Sequence, residues 1–239
     1  MSGGIRPIND ITLAREEPHE PDVSNAALKT TKTPPPTRRR SLSPLHIITL
    51  SVAIVLSASG MVSAEDAAFV LFSIIYTYFM SKVVFPPTSP RSKPPFGEKN
   101  RILGLYALFA GLIGLFLPIA YILEGIFEGD KEGMKAAAPH LFLVCSQVFM
   151  EGVAFSANLS MPVFAFVPIF NNSKRIFTIV EWLRSEFSRG SMYEGSAGRL
   201  YAGRALAVAN MAFWSFNLFG FLLPVFLPKV FKIYYSNRD

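Results

Sequence analysis

The sequence predicts an all-helical, polytopic integral membrane fold, with about five transmembrane helices and one amphipathic surface helix. Three observations predict it. Hydrophobic residues make up 51% of the 239-residue chain and charged residues only 17%, against about 25% in an ordinary soluble domain. The charges are segregated, so that long uncharged stretches alternate with short segments that hold nearly all of them. Lipid imposes that pattern, because each ionised group at the bilayer centre costs at least about 2.5–3.5 kcal/mol. The 22 phenylalanines also suit helices that face acyl chains.

The elements follow in order. Residues 1–44 lack aromatic residues, contain Pro34, Pro35 and Pro36, and end in the basic block Arg38, Arg39 and Arg40. Such a segment buries too little apolar surface to offset its ordering entropy, so it reads as a disordered basic tail. Its acidic residues Glu16, Glu17, Glu20 and Asp22 argue against an organelle transit peptide, and the late first apolar run argues against a secretory signal. Residues 45–63 form the first expected span, nearly matching a hydrocarbon core of about 30 Å. Ser63 and Asp66 have capping-box spacing and predict a tight turn into a second span, 67–85. A proline-rich basic loop, 86–101, leads to a third span, 102–123, in which Pro118 predicts a kink.

An acidic loop, 124–137, precedes the fourth span, 138–158, with Pro139 in its first turn, where a missing N–H does no harm. Residues 159–170, interrupted by Pro162 and Pro168, read as a short re-entrant or interfacial segment. Residues 173–187 read as a membrane-surface helix capped by Ser173, with Ile176, Val180, Leu183 and Phe187 on its apolar face. A Gly-rich linker, 188–204, leads to the fifth span, 205–227. The transmembrane domain thus covers 45–228, with a short tail at 229–239.

Basic residues set the orientation. Five spans place sixteen counted Lys and Arg residues on the N-terminal side and five opposite; a six-span rival, with 136–170 crossing twice, gives thirteen and eight. Both put the N-terminus in the cytosol, and the five-span count is the more asymmetric. The membrane is an endomembrane or the plasma membrane. The net charge of +6 lies in clusters beside apolar segments, which points to membrane orientation and away from nucleic acid. Cys145 is the single cysteine, so the fold needs no intrachain disulfide.

Candidate functional residues are few. Glu151 is the sole carboxylate in 136–170, and an ionisable group inside a span is a functional candidate by default. Steps of three and four residues align His140, Val144, Gln147, Glu151 and Asn158 in one stripe. Asn210, Trp214 and Asn217 share a face of the last span and are expected to meet Gln147 and Glu151. The stripe reads either as a solute or proton path or as hydrogen-bonded glue between helices. Arg199 and Arg204 are candidates for the phosphates of anionic lipid at the cytosolic face. Ser43-Pro44 and Ser89-Pro90 are candidate phosphorylation sites that would weaken such attraction. Gly104, Ala107, Gly111 and Gly114 form small-x-x-x-small patterns for tight packing or for homo- or hetero-oligomerisation through 102–123. The three histidines lie far apart in sequence and the cysteine stands alone, so no metal, cofactor or catalytic constellation is expected, and the chain reads as no enzyme. The expected role is a non-enzymatic membrane component that binds lipids or protein partners; the alternative is a small transporter or channel.

Residues 141–183 carry one resemblance. Cys145-Ser146-Gln147 through Glu151-Gly152, followed by Arg175-Ile176-Phe177, resemble a family of plant multi-pass membrane proteins of unknown function. The resemblance extends over roughly residues 45–235, and it implies a plant origin but no mechanism.

Overall fold

The cap at Ser63 forms as its spacing predicts. Its hydroxyl accepts from Asp66 N–H at 3.1 Å and donates to the Asp66 carboxylate at 2.7 Å, starting a helix where the sequence expects one. The computed structural model describes residues 42–87, 96, 100–189 and 196–236. Within them lie six helices and no strand: α1 (Pro44–Ala58), α2 (Ala64–Val84), α3 (Arg101–Glu128), α4 (Lys131–Ser156), α5 (Met161–Ser188) and α6 (Ala197–Ser236). The all-helical class is as predicted, and α2, α3, α4 and α6 are each long and apolar enough to cross a membrane.

Several boundaries differ from expectation, each for a local reason. Helix α1 stops at Ala58, short of 63, because Gly60 takes a left-handed turn at φ 72°. Its 15 residues span about 22 Å. Helix α4 begins at Lys131, because Asp130 caps it by accepting from Gly133 N–H at 3.0 Å. Pro139 therefore lies well inside the helix, not in its first turn, and the acidic loop shrinks to Gly129-Asp130. Helix α6 begins at Ala197 and continues through Pro224 to Ser236, so the expected linker and tail are partly helical.

The largest correction concerns 159–187. One continuous 28-residue helix replaces the re-entrant segment and the separate surface helix. Asn171, Asn172 and Ser173 do not interrupt it, since each finds an acceptor. Asn171 donates to Val167 O at 3.0 Å, Ser173 to Ile169 O at 2.8 Å, and Asn172 to Trp214 O at 3.2 Å. Ser173 is thus mid-helix and caps nothing. The buried face is Arg175, Thr178, Ile179, Trp182 and Glu186, while Phe187 of the expected apolar face is exposed.

Helices α4 and α5 form the centre of the bundle. Two-thirds (67%) of the apolar window of α4 is buried, against 17% in α2 and in α3. One end of the bundle is aromatic: Phe85, Val163 and Tyr234 pack together, Ser160 donates to Phe85 O at 2.7 Å, and Tyr234 donates to Pro86 O at 3.1 Å. The other end is charged. There the end of α3, the start of α4, the end of α5 and the start of α6 converge. Asp130 reaches both Arg189 and Arg199. A single contact group thus puts both ends of the 131–188 hairpin at the same end of the bundle.

Candidate functional site

Two polar layers lie inside the bundle, and both depend on α5. The first closes the charged end. Arg189 pairs with Asp130, lies 3.3 Å from Glu186 and 3.9 Å from Glu132. Arg199 lies 2.8 Å from Asp130, 3.3 Å from Glu124 and 4.0 Å from Glu128, and its guanidinium stacks 4.2 Å over the Tyr121 ring. The Glu186 carboxylate, fully buried, accepts from the Tyr121 hydroxyl at 2.8 Å and from Trp182 Nε1 at 3.3 Å. Glycines make the room. A Cβ at Gly125, Gly133 or Gly203 would fall within 3.0 Å of Arg199, of Asp130 and Tyr121, or of Tyr121 and Glu186 respectively.

The electrostatics of this layer are self-consistent. Burial opposes the charge on Asp130, but the Gly133 N–H, the Arg199 hydrogen bond and the two guanidiniums outweigh it and hold its carboxyl below the usual range. Burial likewise opposes the Arg189 cation, and the Glu186 and Asp130 carboxylates more than compensate.

The second layer crosses the middle of the bundle. Arg175 of α5 is wholly buried. It donates to Gln147 of α4 and lies 4.0 Å over the Trp214 ring of α6. Gln147 in turn donates to Glu151 at 2.8 Å, and Trp214 Nε1 donates to Asn210 at 3.1 Å. A continuous polar chain therefore runs Asn210, Trp214, Arg175, Gln147, Glu151. Beside it, His140 Nε2 lies 3.2 Å from the Gly114 carbonyl. Pro118, four residues on, has no N–H to give that carbonyl, and the histidine ring is placed to donate to it. Arg175 Nε and Nη1, Asn171 Oδ1, Asn172 Oδ1 and His140 Nδ1 have no protein partner.

The structure sorts the residues singled out by sequence. His140, Gln147 and Glu151 do line one face, but Asn158 does not join them: α4 ends at Ser156, and Asn158 sits in the following turn at φ 50°. Asn210 and Asn217 do not touch Gln147 or Glu151. Arg175 and Trp214 stand between, and Asn217 instead accepts from the Tyr106 hydroxyl at 2.8 Å. Arg199, a candidate for lipid phosphate, has a side chain only 1% exposed that faces the carboxylates of Asp130 and Glu124. Half-buried Arg204 donates to Glu186 O at 3.0 Å. Ser43 caps α1 and its hydroxyl lies 2.8 Å from His46 Nδ1; Ser89 lies outside the described residues. Gly114 admits the Trp214 ring, whereas Gly104 meets nothing within 4 Å.

Arg175, Asp130, Glu186 and Arg189 escape sequence reasoning. Their available signal is the helical stripe Arg175, Thr178, Trp182, Glu186, whose spacing of three and four marks a buried polar face once α5 is known to be one helix.

These features define an all-helical bundle with four helices fit to cross a membrane, many large apolar side chains exposed, and Arg175, Glu186 and Arg199 buried. The chain belongs to the DUF7733 family, a domain of unknown function, whose family model matches residues 40–235. No curated protein and no solved structure matches it.

Proposed function

We propose that this chain is a multi-pass integral membrane protein that works without covalent chemistry, as a membrane component engaging lipids or protein partners. The observation that carries it is inverted polarity. Arg175, Glu186 and Arg199 are buried, while Ile102 and Phe127 are 81% and 89% exposed. Water as solvent would select the reverse. The outer half of α3 supports contact with acyl chains or another chain, since Arg101–Gly111 has no buried residue. The resemblance of 141–183 supports a plant origin.

The ion pairs of Asp130 support an even number of crossings between residues 130 and 189, so α5 crosses beside α4. With α1 and α2 forming a hairpin, the segments before α1 and after α6 then share one side. Leaving out Lys174 and Arg175, which α5 holds at mid-height, thirteen counted Lys and Arg residues lie on that side and six on the other, which supports a cytosolic tail. Anionic lipid then meets the basic segments around Arg38–Arg40 and Arg91–Arg101. The test is extraction and sidedness. Alkaline carbonate should leave the chain in vesicles, and tags before residue 44 and after 236 should be digested together, with a site at 129–130 protected. Release by carbonate would sink the membrane reading, and tags digested from opposite sides would sink the topology.

A second reading, a path for a small polar solute or protons, is favoured by the unpartnered donors and acceptors around Arg175, which suit water or a solute that both donates and accepts. Glu151→Gln and Arg175→Met should then abolish uptake in reconstituted vesicles; transport unchanged in both would remove this reading.

A further inference from the structure

The α1–α2 hairpin meets α5 along its first half only, from Ser160, which donates to Phe85 O, to Lys174. Helix α5 has 28 residues, about 42 Å, and its Lys174 holds the hairpin turn. Lys174 pairs with Glu65 and lies 3.3 Å from Asp66. Lys174 is at the midpoint of Met161–Ser188. Beyond it, helical spacing stacks Phe177, Glu181 and Arg184 on the same face. All three are exposed, Phe177 to 67%. Glu65, at the turn itself, has a side chain 82% exposed.

These charges have no favourable place against acyl chains, where each costs at least about 2.5–3.5 kcal/mol. We infer that the short hairpin leaves a water-filled recess, open at the end of the bundle that carries Asp130 and floored at mid-height by Glu65, Asp66 and Lys174. Its ligands are water and small hydrophilic ions; acidic and basic side chains alternate along it, which favours neither sign. Lys174 precedes Arg175 in the chain, so the recess brings solvent to one side of α5 while the polar chain of Arg175 occupies the other. The inference rests on the membrane reading and on α5 crossing beside α4.

The test uses the full chain in sealed vesicles, with Cys145→Ala as background and a membrane-impermeant cationic methanethiosulfonate as probe. Phe177→Cys and Glu181→Cys sample the recess, Lys131→Cys the open end, and Leu71→Cys and Leu108→Cys the lipid-facing surface. The recess positions should react within about tenfold of Lys131→Cys and only from its side. The lipid-facing positions should be slower by about a hundredfold, the equivalent of the cost of exposing a thiolate to hydrocarbon. Recess positions as slow as the lipid-facing ones, whether sealed by lipid or by another chain, would overturn the inference, as would labelling from the opposite side. Fast reaction at Leu71→Cys and Leu108→Cys would instead show that the membrane reading itself has failed.

Discussion

Replacing Asp130 by Asn tests the charged layer most directly. The amide is nearly isosteric and still caps α4, since Asn and Asp are equivalent N-caps, so the change removes charge and little else. Asp130 faces two guanidiniums and its side chain is only 6% exposed. Each such attraction is worth about 4 kcal/mol at 4 Å with an effective dielectric of 20. Both arginines retain a second carboxylate at 3.3 Å, Glu186 for Arg189 and Glu124 for Arg199, which offsets part of the loss. The expected destabilisation is about 2–4 kcal/mol, toward the low end of what breaking a buried pair costs. Glu128→Gln is the control. It lies 4.0 Å from Arg199 and is 35% exposed, so its loss should stay below about 1 kcal/mol. Unfolding in mild detergent, followed by tryptophan emission, reads the layer because Trp182 donates to Glu186. The sign with pH is fixed. The folded pKa of Asp130 lies below its ordinary 3.8, so its stabilisation is complete above that value and is lost as pH falls through the lower folded one. The gap between the native chain and Asp130→Asn should be constant from neutral pH to about 5 and close below 3.8. If Asp130→Asn costs no more than Glu128→Gln, the four helix ends are not held by this layer.

Three further outcomes follow from the same contacts. Gly133→Ala should lower stability by about 1–3 kcal/mol, measured in the same unfolding experiment, because the new methyl would fall within 3.0 Å of Asp130, Tyr121 and Arg189. Trp214→Phe should cost about 1 kcal/mol through the lost hydrogen bond to Asn210, and Trp214→Leu distinctly more, because it also removes the ring beneath Arg175; equal losses would show that the stacking contributes nothing. Cys145 is wholly buried, so a lipid-permeant maleimide should label it only after unfolding, as mass spectrometry would show.

What the sequence disclosed was what local chemistry decides. Ser63 and Asp66 are three residues apart, so their cap is written in one turn of chain. The long uncharged runs reveal themselves because lipid acts on each helix singly. Arg175 is different. In one dimension it belongs to a basic, asparagine-rich stretch that looks like a surface, and charge counting assigns it to an aqueous side. Its burial depends on Trp214, 39 positions away, and on Gln147, 28 positions back. The prolines misled for a related reason. Pro162 and Pro168 suggest a broken segment, but Pro162 sits at the start of α5, where no N–H is needed. Asn171 and Ser173 bond back to their own helix, so the polar triplet costs the helix little. The stripe His140, Gln147, Glu151 was legible from periodicity alone, while the identity of its partner was not.

The charges of α5 explain why it sits at the centre. Lys174, Arg175, Glu181, Arg184 and Glu186 make it too polar to enter lipid alone, at 2.5–3.5 kcal/mol or more for each ion. In the folded bundle each receives a different treatment. Arg175 lies between Gln147 and Trp214, Glu186 among Tyr121, Trp182 and Arg189, and Lys174 against Asp66. Glu181 and Arg184 face outward on the stretch the hairpin leaves uncovered. Ordinary reasoning about buried ion pairs compares them with water and finds them costly. For a helix that must otherwise meet acyl chains the comparison reverses, since pairing inside the protein is the less costly environment. On the topology proposed above, α5 crosses a bilayer only with α3, α4 and α6 around it, and weakening any one of those contacts should expel α5 from the membrane before it unfolds the strongly apolar α2 or α3.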